Sequence, residues 1–79
     1  MPDMVNHPPH YIAGKFEVIE IIESITNSMY LTPFEGYCLG NAIKYLARFK
    51  NKNGVEDLKK AKWYIDKLII QLSKAEDSQ

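Results

Sequence analysis

The sequence has a single cysteine, no excess of either charge and no long apolar run. One cysteine in 79 residues, Cys38, excludes an internal disulfide and a cysteine-based zinc cluster, and it is most simply a small core residue. Ten basic residues balance ten acidic ones, which argues against a general duplex-DNA or membrane-surface binder. The apolar runs are short and broken by Glu, so no segment is predicted to span a bilayer.

Three common sequence signals are also missing. No charged stretch followed by an apolar one opens the chain, so no secretory signal is predicted and a cytoplasmic protein is expected. No Gly-x-x-x-x-Gly-Lys-Ser/Thr loop occurs, which excludes ordinary P-loop phosphate binding. No Ser/His/Asp or Cys/His order has a spacing that indicates a catalytic nucleophile.

The length predicts a single domain over residues 1–79. Prolines and Gly14 exclude regular helix over residues 1–15, but two histidines and a tyrosine favour an ordered N-terminal arm lying across the helices. Residues 16–73 are predicted to form the helical core, followed by a polar tail over residues 74–79. A core of this size stabilises a fold only marginally, so an oligomer is expected.

Apolar periodicity predicts an all-α fold with three helices. These helices are predicted to run over residues 16 to about 26, 33 to about 50, and about 55 to 73. Thr32, with Glu35 three residues later, forms a capping-box signal at the start of the second helix. Residues 51–54 end in glycine and are expected to form a C-cap and turn.

The second helix is apolar around most of its circumference, so it is expected to be central and buried nearly all round. Its one polar stripe contains an amide and two cations but no acid, in the order Tyr37, Asn41, Lys44 and Arg48. Lys44 and Arg48 suit phosphate oxygens, and the Asn41 amide can pair with a base or sugar edge. A competing interpretation is that the two cations pair across the bundle with acids, namely Glu17, Glu20 or Asp57.

The third helix carries two apolar faces. One is a seam with alternating spacings of three and four, typical of packing on another helix, formed by Leu58, Ala61, Ile65, Leu68 and Leu72. Trp63 and Ile70 fall on the opposite face, which a monomer would leave in water. This second face predicts a homo-oligomer contact or, alternatively, a surface for a host protein.

Two side-chain groups have the spacing of metal ligands. His7 and His10 flank a Pro-Pro unit, but two histidines without a third ligand make a weak zinc signal. A hydrogen bond, a phosphate contact or stacking with Tyr11 is the favoured role for them. Glu17 and Glu20 lie one turn apart, as a magnesium site would need, but such pairs are typical of a solvated helix face. No protein-held metal is therefore predicted.

Four stretches together resemble a known phage family. They are Val5-Asn-His-Pro-x-His-Tyr-x-x-Gly14, Glu17-Val-Ile-Glu-Ile-Ile22, Gly36-x-x-x-Gly-Asn-Ala-Ile-Lys-Tyr-Leu-x-Arg48 and Asp57-Leu-x-Lys-Ala-x-Trp-Tyr64, with Lys52 between the last two. The chain is similar, from Val5 to about Leu68, to the SaV-like family of phage proteins, a domain of unknown function. One larger relative is a phage nucleotide kinase that acts on deoxynucleoside monophosphates without a P-loop.

The resemblance implies nucleotide binding or nucleotide chemistry in the cytoplasm of an infected or lysogenic bacterial host. The ligand-binding residues that it implies are His7, His10, Tyr11, Asn41, Lys44, Arg48, Lys52, Asp57, Lys60 and Tyr64. Any Mg²⁺ is expected to accompany the bound nucleotide, and no other cofactor is expected.

Three functions compete. The first is a nucleotide-binding protein whose cationic stripe holds phosphates, with nucleoside monophosphate kinase activity as its extension. The alternative is a non-catalytic phage effector that binds a host protein or sequesters a nucleotide signal. The third, magnesium-dependent nucleotide pyrophosphate hydrolysis by Glu17, Glu20 and Asp57, ranks last because the acids lack a second closely spaced Glu-x-x-Asp pair.

Overall fold

The computed structural model describes residues 12–77, and it confirms the all-α prediction with three helices. The elements in chain order are β1 (Ile12–Ala13), β2 (Phe16–Glu17), α1 (Val18–Asn27), α2 (Pro33–Arg48), a 3₁₀ turn (Phe49–Asn51) and α3 (Val55–Asp77). Most of the predicted N-terminal arm, residues 1–11, lies outside the described residues. No helix within residues 12–77 is both long and apolar enough to cross a membrane.

The first helix begins two residues later than predicted. Phe16 and Glu17 instead pair with residues 12–13 as two antiparallel strands of two residues each. The turn between them requires a positive φ, which Gly14 adopts at +58°. The backbone N–H of Glu17 then donates to the carboxylate of Glu20 at 3.2 Å, and this bond stabilises the start of α1.

The second helix, α2, starts where the capping signal predicts. The hydroxyl of Thr32 accepts from the N–H of Glu35 at 3.2 Å, and the N–H of Thr32 donates to the carboxylate of Glu35 at 2.7 Å. Pro33 occupies the first turn, where a helix does not use the missing N–H. The predicted turn before α3 is also confirmed, since Gly54 adopts a φ of +56° just before Val55.

The third helix, α3, is longer than predicted. It continues past Ser73 to Asp77, so most of the segment expected to be a polar tail is helical. Lys74, Ala75 and Glu76 are strong helix formers, which explains the extension.

The central position predicted for α2 is confirmed, because it packs against both other helices. α3 packs along it most extensively, and α1 packs against it as well. Where α1 approaches, a Cβ atom at Gly40 would lie 3.5 Å from Cγ2 of Ile22. The two neighbours nevertheless leave part of α2 uncovered, since Tyr37 and Leu46 are 58 % and 46 % exposed. The expectation that α2 is buried nearly all round is therefore wrong.

The apolar core of the described residues is small. Its buried members are Val18, Cys38, Ala42 and Ala61. Cys38 is fully buried, as predicted for a core cysteine. The only charged side chain buried with them in the described part of the chain is that of Asp57.

Candidate functional site

Four aromatic side chains of α2 and α3 form one cluster where the two helices pack. Tyr45 of α2 stacks on Tyr64 of α3 with 6.0 Å between ring centroids and 15° between ring planes. Tyr37 and Trp63 meet the same Tyr64 ring edge to face, at 5.7 and 5.0 Å. These offset and edge-to-face arrangements are the favoured ones for aromatic pairs. Tyr64 is therefore the centre of this aromatic cluster.

Three cationic groups surround the ring of Tyr45. The Nζ atom of Lys44 lies 4.6 Å from the ring centroid, the Cζ atom of Arg48 lies 4.8 Å away, and the Nζ atom of Lys60 lies 5.5 Å away. Each distance is within the range of a cation–π interaction. We call these three cations, together with Tyr45, the cationic site. Grouped cations repel one another, so their charge needs balancing by carboxylates of the protein or by a bound anion.

A shallow cavity of about 290 Å³ opens beside the cationic site. Its walls are Tyr45, Lys60, Trp63 and Tyr64, so it has aromatic faces and one ammonium group. Lys67 lies over the ring of Trp63, 4.9 Å from its centroid, and adds positive charge at the rim. The cavity therefore combines flat apolar surfaces with positive charge.

Arg48 pairs with Asp57, as the competing interpretation of the sequence predicted. Its Nε donates to Oδ2 of Asp57 at 3.3 Å and its Nη2 donates to Oδ1 at 3.2 Å. Asn53 adds two donors to the same carboxylate, its backbone N–H at 3.1 Å and its side-chain amide at 3.4 Å. The Asp57 side chain has no exposed surface, so this pair ties the end of α2 to the start of α3 in the interior.

The pKa of Asp57 reflects two opposing causes. Burial raises the pKa of the carboxyl, but hydrogen bonds from Arg48 and Asn53 lower it by more, so the net pKa lies below its usual value of 3.8. The carboxylate is therefore ionised at neutral pH, and it compensates the charge of Arg48.

The two lysines of the cationic site differ in their ion pairing. Nζ of Lys60 lies 3.2 Å from Oε1 of Glu56, one turn earlier on the exposed surface of α3. Lys44 forms no salt bridge within the described residues. Exposed lysine–carboxylate pairs are weak, so a ligand can displace that of Lys60 at small cost. The two ammonium groups are thus the cations best able to take an anion.

Tyr64 is held in its neutral form. Its hydroxyl oxygen lies 3.5 Å from that of Tyr37. This contact, followed by burial and by the charges that Tyr37, Tyr45 and Cys38 would carry, raises the pKa of Tyr64 to about 12 from 10.0. Because the folded pKa is the higher one, the resulting stabilisation is present below pH 10 and is lost between about pH 10 and 12.

Replacing Tyr37 with Phe is expected to bring the pKa of Tyr64 down from about 12 towards 10. Ultraviolet-absorbance titration of the tyrosines measures this change, because Tyr64 should then ionise nearer pH 10 than pH 12. The control is Tyr30→Phe, since Tyr30 is fully exposed and its replacement removes one tyrosine without touching the aromatic cluster. A Tyr37→Phe curve that matches the native curve apart from the lost tyrosine would contradict the assignment.

The other predicted ligand-binding residues occupy three different places. The side-chain amide of Asn41 donates to the backbone oxygen of Tyr37 at 2.9 Å, beside the aromatic cluster. Lys52 is exposed in the turn before α3. Three further residues lie outside the described part of the chain, namely His7, His10 and Tyr11. The structure thus brings together Lys44, Arg48, Asp57, Lys60 and Tyr64, with Asn41 one turn away from Lys44 on α2.

Sequence periodicity alone points neither to Tyr45 nor to a cavity at Trp63. Helical spacing puts Tyr45 on the apolar side of α2, and only the packing of α3 shows that three cations gather around it. The sequence predicts that Trp63 lies on a face for a homo-oligomer or a host protein, and this stays a prediction; the structure adds that Trp63 lines the cavity beside Lys60. The adjacent Lys44-Tyr45 pair is the one local signal for this site, and it is weak because neighbouring residues point about 100° apart on a helix.

The acids of the magnesium hypothesis are engaged elsewhere. The carboxylate of Glu20 accepts from the backbone N–H of Glu17 at the start of α1, and the carboxylate of Asp57 accepts from Arg48 and Asn53. Within residues 12–77, no three His, Cys, Asp or Glu side chains gather where they could hold a metal ion.

Comparison with known proteins gives one family and two phage relatives. Residues 5–66 match a family described as protein of unknown function (DUF3310). The gene 1.7 protein of Enterobacteria phage T3 is 45 % identical in an alignment of 64 residues that covers 76 % of this chain and 38 % of that protein. Nucleotide kinase gp1.7 of Escherichia phage T7 is 42 % identical in an alignment of 64 residues that covers 76 % of this chain and 32 % of that protein.

The chain thus spans only about a third of the length of these curated relatives. No solved structure matches the chain.

Proposed function

This chain belongs to the DUF3310 family, and from that premise we propose that it binds a nucleotide at the cationic site. The observation that carries the proposal is the grouping of Lys44, Arg48 and Lys60 within 4.6 to 5.5 Å of the Tyr45 ring centroid. The T7 relative is named a nucleotide kinase, and that name supports the same ligand class.

The phosphates interact with the lysines of the site. Lys44 and Lys60 donate to phosphate oxygens as mobile point charges, and the phosphate replaces Glu56 as the partner of Lys60. Arg48 is held by Asp57, so it adds positive potential from a fixed position. Two mobile lysines beside a fixed arginine suit a di- or triphosphate, whose several oxygens can reach both ammonium groups.

The base lies in the shallow cavity beside the phosphates. Trp63 offers its ring for stacking, and any base has a flat face that such a ring can accept. The side-chain amide of Asn41 makes one bond to its own helix and keeps further hydrogen-bonding capacity for a base or sugar edge.

Kinase activity is the finer part of the proposal. A phosphate oxygen of a nucleoside monophosphate would attack the γ-phosphorus of a nucleoside triphosphate, the bond to the β–γ bridging oxygen would break, and two diphosphates would leave. Lys44 and Lys60 would stabilise the charge on the transferring group. Mg²⁺ would arrive with the triphosphate, since the described residues gather no metal-binding set.

Calorimetric titration tests the binding step. We expect the affinity to rise from nucleoside to mono-, di- and triphosphate, reaching micromolar dissociation constants, because the phosphates make the charged contacts. Added salt should weaken the phosphate contribution and leave the stacking contribution nearly unchanged. Equal affinity for nucleosides and nucleotides would contradict a phosphate-binding role for the cationic site.

Turnover is measured separately, by following the formation of diphosphates from the nucleoside monophosphate and the nucleoside triphosphate that bind most tightly. Binding without turnover would overturn the kinase proposal and retain the nucleotide-binding one. No binding of any nucleotide would overturn both and favour the effector that binds a host protein.

A further inference from the structure

Lys67 differs from the other lysines of α3 because no acidic residue neighbours it along the helix. Residues three or four positions apart are neighbours on a helix surface, and those of Lys67 are Trp63, Tyr64, Ile70 and Gln71. Each of the other lysines of α3 has an Asp or Glu at one of these positions. Lys67 also forms no salt bridge in the part of the chain that the structure describes. Its ammonium group is therefore open to an anion from outside the protein.

This ammonium group lies at the tryptophan wall of the cavity. Nζ of Lys67 is 4.9 Å from the ring centroid of Trp63, and Trp63 is nevertheless 54 % exposed. Lys60 precedes Trp63 by three residues and Lys67 follows it by four, so the three lie within about 60° on one face of α3. The helical rise separates the backbones of the two lysines by about 10 Å. The tryptophan wall therefore has a positive group at each end.

A nucleoside 5′-polyphosphate uses only one of these two ends. With its base against Trp63 and its phosphates on Lys44 and Lys60, it brings no anion to Lys67. A nucleotide that also carries a phosphate on its 3′ oxygen has a second anionic group, and the flexible stem of Lys67 allows the ammonium group to meet it. Aromatic rings for the bases, with cations along the backbone, are also the features by which proteins bind single nucleic-acid strands.

We propose that Lys67 forms a second phosphate subsite, so that the site takes a nucleotide phosphorylated on both its 5′ and its 3′ side. This inference rests on the proposed nucleotide-binding function, because the base must occupy the cavity for the 3′ phosphate to reach Lys67. Two sources offer this chemistry. One is a free nucleoside 3′,5′-bisphosphate, and the other is a nucleotide within a single strand of DNA or RNA.

Titration with isomeric ligands tests the subsite. A nucleoside 5′-diphosphate and the 3′,5′-bisphosphate of the same nucleoside have the same composition and differ only in the position of one phosphate. The pairs used are those of adenosine, guanosine, cytidine and thymidine, together with the four 5′-monophosphates. Trp63 is the sole tryptophan, so its fluorescence follows each titration at constant salt. Native protein should bind the bisphosphate about 10-fold more tightly than the monophosphate, because the ammonium group of Lys67 bonds to the added phosphate.

The variant Lys67→Met removes the ammonium group but keeps an unbranched apolar stem beside Trp63. It should weaken binding of the bisphosphate by about 10-fold and change the affinity for the diphosphate by less than about twofold. Lys44→Ala should weaken both ligands, since both place a 5′ phosphate on Lys44. Lys67→Arg keeps the charge and should bind the bisphosphate nearly as well as native protein. The control for net charge is Lys59→Met, because Lys59 is exposed and does not line the cavity.

The outcomes separate this inference from the function on which it rests. If the diphosphate binds through Lys44 but the bisphosphate binds no more tightly than the monophosphate, the subsite is overturned and the proposed function stands. Equal losses for both isomers in Lys67→Met would also overturn the subsite, since the residue would then act through the stacking surface. Protein that binds none of these nucleotides would overturn both proposals.

Tetranucleotides of DNA and RNA distinguish the two sources of the ligand. A strand that binds more tightly than the free bisphosphate, and loses affinity in Lys67→Met, would assign the subsite to single-stranded nucleic acid. Comparison of the two tetranucleotides then shows which kind of strand is preferred. A strand that binds more weakly than the bisphosphate would assign the subsite to the free nucleotide.

Discussion

Replacing Asp57 with Asn is expected to lower the melting temperature by more than about 10 °C. The substitution keeps the size of the side chain but removes its charge, so the guanidinium of Arg48 loses the carboxylate that it contacts in the interior. It also puts an amide group where Arg48 and Asn53 both need an acceptor. Removing one member of a buried ion pair costs far more than the pair itself contributes.

The matched control is Asp66→Asn, which makes the same chemical change on the surface of α3. Asp66 accepts from Lys62 at 2.8 Å, but both side chains are exposed and such pairs contribute little. Thermal unfolding at one protein concentration should therefore separate the two variants clearly. Similar melting temperatures would show that the Arg48–Asp57 pair does not hold α2 to α3. A further variant, R48M/D57L, should recover much of the stability, because it leaves no buried charge.

The Arg48–Asp57 pair also makes the stability of the fold depend on acid pH. The folded pKa of Asp57 is lowered below 3.8, so its stabilising contribution is present above pH 3.8 and is lost as the pH falls through the folded value. Native protein should thus lose stability on acidification below that point. Asp57→Asn should lack this part of the pH dependence, which a melting series over acidic pH measures.

Local signals were enough to predict the helices because their starts are chemically marked. Thr32 and Glu35 satisfy each other's backbone and side-chain groups, and Gly54 provides the turn before α3. The late start of α1 could not be predicted in this way. Glu17 ends β2 and is also the N-cap of α1, and this double role depends on its pairing with residue 12.

The candidate site was only partly predictable. The line of Asn41, Lys44 and Arg48 follows from helical spacing alone. Whether Arg48 faces a ligand or an acid depends on which residue of α3 lies opposite, and the packing of the two helices sets Asp57 there. The position of Lys60 beside Tyr45 depends on the same packing, so no pattern within one helix could have given the cationic site.

Replacing Lys44 with Ala is expected to weaken nucleotide binding by about 10- to 100-fold, since a hydrogen bond to a charged group contributes roughly 1.5–3 kcal/mol. Lys44 is the best single probe of the site for two reasons. It forms no salt bridge within the described residues, so its removal leaves no carboxylate unpaired. It also lies at the Tyr45 ring, 4.6 Å from the centroid, rather than in the core. Calorimetry with the tightest nucleotide measures the loss.

The control for charge alone is Lys59→Ala. Lys59 precedes Lys60 on α3, is exposed and points about 100° away from it, so the variant removes one positive charge without touching the site. An equal loss of affinity in both variants would mean that the net positive field attracts the nucleotide, and it would contradict a direct contact. A loss of affinity confined to Lys44→Ala would indicate a direct contact with the nucleotide. If Lys44→Ala binds the nucleoside without phosphate as well as the native protein does, the ammonium group of Lys44 contacts the phosphates, because only that contact depends on both the residue and the ligand's charge.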